Sequence, residues 1–166
     1  MKISEEIIRL RDTLDVEATL LDRYRRGQEE LRVYLKEREW EEMTRLLERL
    51  DLLSQEISQV EERRYSLFES LASQYGLPRS VDFYQLVVRM PKEVQEPMAE
   101  AYRKIKITVT QIEGISLAID VYIRSVGEVM NQVLGEFYPH RKGNIYSRHG
   151  RSVPINSNPM IFNRSL

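Results

Sequence analysis

The chain has 166 residues and a formal net charge of −1, from 25 Lys+Arg against 26 Asp+Glu. That length fits one domain plus at most a further segment, and so even a balance argues against a protein built as a whole to coat nucleic acid or an anionic membrane. A hydrophobic content of 42% excludes a wholly disordered chain, and a cysteine count of zero excludes disulfides, thiolate-held zinc, Fe–S clusters and thiol catalysis.

The first element is a long amphipathic helix over about residues 4–36. Ile7, Leu10, Leu14, Glu17, Leu21, Tyr24, Gln28, Leu31 and Leu35 recur every three or four residues, so they share one helix face. A second stripe, Met43, Leu46, Leu50, Leu53, Ile57, Val60, Arg64, Leu67 and Leu71, predicts a helix over about 40–75. The two stripes are out of phase by one residue, which would rotate a continuous seam by about 100°. A tight break near Lys36–Trp40 that folds an antiparallel hairpin accounts for this. The alternative is one long helix with a phase insertion.

Gly76 and Pro78 end the second helix. Ser80 then reads as the N-cap of a short helix over about 81–90, which Pro91 closes. A third long helix is predicted over about 94–137, with Pro97 in its first turn. Its stripe runs Met98, Tyr102, Ile105, Val109, Ile112, Ser116, Ile119, Ile123, Val126, Met130, Val133 and Phe137. Strict alternation is absent, so no sheet is expected. No helical period continues beyond 137. Residues 138–166 carry Arg141, Lys142, Arg148, Arg151 and Arg164 and no acidic residue, and read as a flexible basic tail, disordered in isolation.

The fold expected is therefore all-α. An elongated antiparallel hairpin and a third long helix form a coiled-coil-like three-helix bundle over 1–137, with a short extra helix and the tail. The start of the chain, Met1-Lys2-Ile3-Ser4-Glu5-Glu6, lacks an apolar signal region. No apolar run approaches the ~20 residues that span a bilayer. The expectation is a cytoplasmic protein with no membrane insertion.

Catalytic chemistry has little to stand on. The histidines are His140 and His149, both in the tail, where a general base is not held against a substrate. No nucleotide-binding, zinc-protease or hydrolase motif occurs. Glu37, Glu39, Glu41 and Glu42 cluster at the hairpin tip and read as a solvated loop. The expectation is no enzyme, no metal and no cofactor. Glu17, Gln28 and Arg64 interrupt the seams and read as register-setting residues, and an antiparallel hairpin brings Glu17 near Arg64. Trp40 reads as a cap on the end of the seam, with an anchor for a partner as the alternative. The basic tail suits a protein partner better than nucleic acid.

The third helix is apolar on more than one face. Ile115, Ile119, Val121, Tyr122, Ile123, Val126, Val129, Met130, Val133, Leu134 and Phe137 exceed what two neighbours bury, so this stretch is either deep core or a surface for a partner helix.

Four stretches taken together resemble a known family. They are the acidic-flanked break between Leu31 and Leu53, Gln59-Val60-Glu61-Glu62-Arg63-Arg64, the short helix of Ser80–Met90 after Gly76, and Tyr146-Ser147-Arg148-His149-Gly150-Arg151 after a long helix. The chain resembles the flagellar type III export chaperones of the FlgN type. It departs from them at Ala118–Ile123, where the family commonly carries asparagine and this chain has none. The resemblance implies a cytoplasmic chaperone for hook–filament junction proteins, whose C-terminal amphipathic helices self-associate when free. It implies a client surface of Ile119, Ile123, Val126, Met130, Val133 and Phe137, a tail folded over the client or displaced by it, and an export-gate contact at Tyr146. A homodimer of the free protein is compatible with the same face. The rival reading is a self-assembling structural coiled-coil protein without a client.

Overall fold

The computed structural model describes residues 4–137. Within them the chain forms α1 (Glu5–Glu37), α2 (Trp40–Gln74), α3 (Phe83–Val87) and α4 (Lys92–Phe137), and no strand. The expectations for residues 138–166, Tyr146 among them, lie outside the described residues, as does the side chain of Phe137. The chain divides into two units, Met1–Ile115 and Ser116–Leu166, with the boundary inside α4.

The first unit is a helical bundle. Ser4 caps α1 by accepting the Ile7 N–H at 3.4 Å. The break falls where the phase of the stripes put it. Arg38 takes the left-handed conformation at φ 59°, ψ 35°, and the Glu39 N–H donates to the Tyr34 carbonyl at 3.0 Å. Glycine usually supplies that conformation, because a Cβ there crowds the carbonyl. The helices run antiparallel, since Glu6 hydrogen-bonds Gln74, Glu17 pairs with Arg64, and Gly27 lies against Leu50. α2 ends on Gly76 at φ 65°. The Leu77 N–H donates to the Ala72 carbonyl at 2.9 Å and the Gly76 N–H to that of Ser73 at 3.0 Å, which closes a Schellman turn.

The apolar stripes form the core. Leu10, Leu14, Ile57, Leu71, Leu86, Met98 and Ile105 are fully buried. Each contributes about 1.5–3 kcal/mol relative to exposure. α1 buries Thr13, Leu20 and Gly27 besides its predicted stripe, an arc wide enough for more than one neighbour. An aromatic cluster ties α3 to its surroundings. Phe83 stacks on Tyr102 of α4 at 4.0 Å between centroids and lies 6.1 Å from Phe68 of α2.

Three expectations are corrected. The short helix is Phe83–Val87 rather than 81–90, and its cap is Asp82, not Ser80. Asp82 and Gln85 form a capping box, in which the Asp82 N–H donates to Gln85 Oε1 at 3.3 Å. α4 begins at Lys92, so Pro97 lies beyond its first turn. There the ring removes the N–H that would meet the Glu93 carbonyl. Trp40 does not cap the seam. It is 58% exposed, at the tip of the hairpin where α2 begins just after the Arg38 turn.

Candidate partner-binding face and buried ion pair

Two features stand apart from the apolar core, and the first is buried charge. Arg64 Nε donates to Glu17 Oε2 at 2.7 Å, with the side chains 10% and 3% exposed. Arg64 also lies 3.9 Å from Glu61 and 5.9 Å from the centroid of the Tyr102 ring. Burial pushes the Glu17 carboxyl above its ordinary value, and the Arg64 charge and hydrogen bond pull it partly back. Burial likewise raises Tyr102. Among helices that otherwise present Leu and Ile, such a pair is satisfied in one register only. Two of the three polar interruptions of these stripes thus meet, a pairing that the antiparallel hairpin allows. Gln28, the third, is also buried.

The second feature is the outer part of α4. From residue 121 to 136 every position is exposed. Val121, Ile123, Val126, Val129, Met130, Val133 and Leu134 are large apolar residues facing solvent, and Ile123 is 52% exposed. At 100° per residue, Ile119, Tyr122, Ile123, Val126, Val129, Met130, Val133 and Leu134 fall within an arc of roughly 140°. Leu117 and Val121 fall outside it. The arc has a polar border: Asp120 and Asn131 lie on one side, Ser125 and Glu136 on the other. Arg124 pairs with Asp120 at 2.9 Å across exposed surface, a contact of modest strength.

Of the six residues expected to form a client surface, Ile119 is half-buried, and Ile123, Val126, Met130 and Val133 are exposed on the arc. Tyr122, Val129 and Leu134 share that arc and were not among the six. The signal for them was the angular spread of apolar residues, wider than a single stripe. The hairpin-tip carboxylates are surface groups. Glu37, Glu39 and Glu41 are exposed, and Arg45 lies 3.0 Å from Glu42 and 3.7 Å from Glu41. Among the described residues no cluster of His, Cys, Asp and Glu has metal-binding geometry, and no helix is long and apolar enough to cross a membrane.

Fold and face define a class, an all-α bundle bearing an apolar helix face open to solvent. The family model of FlgN protein matches residues 1–154, and the chain belongs to that family. FlgN proteins are chaperones of flagellum assembly that bind flagellar clients. Comparisons with curated proteins and with solved structures give no match.

Proposed function

We propose that this chain is a cytoplasmic export chaperone that binds the C-terminal amphipathic helices of hook–filament junction proteins, keeps them from assembling early, and delivers them to the type III export gate. One observation carries the reading: in a FlgN-family chain, an uninterrupted apolar arc of α4 lies open to solvent. An amphipathic client helix has the complementary need. Pairing the two buries apolar surface that neither buries alone. Ile119, Ile123, Val126, Met130, Val133 and Phe137 form the centre of the client surface, flanked by Tyr122, Val129 and Leu134. Met130 adapts to irregular client side chains. Tyr146 is the export-gate contact, assigned by its place in the motif Tyr146–Arg151. Binding and release need no cofactor and no covalent step.

The test is to mix the purified chain with a hook–filament junction protein and weigh the product by size exclusion with light scattering. The expected result is a 1:1 complex that is lost when the client's C-terminal helix is removed. Failure to form that complex, together with a fixed homo-oligomer, transfers the α4 face to self-assembly and leaves Tyr146 without a role.

A further inference from the structure

We infer that residues 138–166 of this chain are the resident occupant of the α4 arc, held on it in cis until a client helix takes their place. This rests on the reading of α4 as the client face and adds how that face is regulated.

A contiguous apolar arc of eight residues is costly to leave in water and prone to self-association. The chain carries a complement to it directly downstream. α4 beyond Ser116 holds Asp120, Glu128 and Glu136 against one cation, Arg124, which is already engaged with Asp120. Residues 138–166 hold Arg141, Lys142, Arg148, Arg151 and Arg164 and no carboxylate side chain. They also hold apolar side chains to place on the arc: Ile145, Tyr146, Val153, Ile155, Ile161 and Phe162. The segment is long enough. At ~3.3 Å per residue it reaches far past the roughly 30 Å from Leu117 to the end of α4. A covalently joined ligand competes at high local concentration without tight intrinsic binding, so it shields the face and still yields to a client. The other described surfaces fit worse. The exposed sides of α1 and α2 carry carboxylates interleaved with arginines, as in the pairs of Glu5 with Arg9 and Arg25 with Glu29.

The absence of cysteine makes the test direct. Ser157→Cys in the full chain, carrying a nitroxide, places one spin label in the segment. The expected result is loss of amide signal at Ile119–Ile123, the far end of the arc, with α1 and α2 unchanged. The informative residues lie roughly 24 Å along the helix from its last turn, so proximity along the chain does not explain the effect. Replacing Arg141, Lys142, Arg148, Arg151 and Arg164 with serine should restore those signals. Three outcomes overturn the proposal: full signal at Ile119–Ile123, signal loss retained in the serine variant, or loss appearing on unlabelled chains mixed with labelled ones. The last result means that a second copy, not the chain's own segment, covers the arc. No client is present, so a negative result here leaves the client reading standing. A chain that shows the expected signal loss and binds no junction protein overturns that reading alone.

Discussion

Glu17 and Arg64 illustrate how one pair can hold a hairpin in register. Both side chains are nearly inaccessible, and each is the other's counter-charge at 2.7 Å. Arg64→Ala leaves a buried carboxylate unpaired and should cost about 3–5 kcal/mol in urea unfolding. Pairing Arg64→Met with Glu17→Leu should recover most of that loss, because the desolvation of both charges disappears with them. The raised pKa of Glu17 gives a signed prediction. The native state holds this proton more tightly than the unfolded chain does. Its contribution to stability is therefore complete below the ordinary value of 4.5 and is lost as pH rises through the folded value. Measured against Glu17→Gln, the native chain should lose relative stability as pH rises above the ordinary value of 4.5. A difference that stays constant with pH would show that Arg64 fully offsets burial. Ile123 and Ile105 form a second contrast, since the first is half in solvent and the second fully buried. Ile123→Asp should keep helical circular dichroism while weakening client binding by at least about tenfold, or 1.4 kcal/mol. Ile105→Asp should unfold the bundle.

At the scale of elements, the ends of helices decide where the chain turns. The α1–α2 turn is built without glycine. Arg38 carries a left-handed backbone whose steric cost is roughly 1–2 kcal/mol. Arg38→Gly should therefore raise the thermal midpoint, with a gain of up to about 1 kcal/mol after the added freedom of the unfolded chain is subtracted. A lowered midpoint would show that the Arg38 side chain stabilises the tip. The α2 end is different, for Gly76 supplies φ 65° at no such cost. Within α1, Gly27 lets the helices approach closely. A Cβ there would come within 2.6 Å of Leu50 Cδ2. In α4 the three glycines at 114, 127 and 135 meet nothing nearby, so they weaken the helix without serving a contact.

At the scale of the whole molecule, the buried apolar core lies in one unit and the contiguous open apolar arc in the other. Residues up to 115 bury their stripes and supply the stability of a small domain. The α4 residues from 121 onward present theirs to solvent. A protein organised this way should unfold in one cooperative transition set by the first unit. Adding a client helix should raise that transition only as far as mass action on the native state allows. Calorimetry across a client concentration series checks this, since a midpoint independent of client would place binding on the unfolded state as well.

Much of this organisation was legible because helices repeat every 3.6 residues. The stripes of α1 and α2, their one-residue phase slip and the Gly76 stop are local facts of spacing. They pointed to an all-α fold and favoured an antiparallel hairpin over one long helix, with Glu17 and Arg64 brought only approximately level. Spacing could not read what depends on neighbours. The exposed Trp40 and the close approach at Gly27 follow from where other helices lie, whereas the cap at Asp82 had a local signal in Gln85 three residues on. The same limit applied most strongly to α4. Its sequence declares that Ile105 and Ile123 are both apolar and on helical repeats, and periodicity treats them alike. Burial is a property of what packs against a side chain, so only the tertiary structure separated the stretch that builds the core from the stretch that faces water.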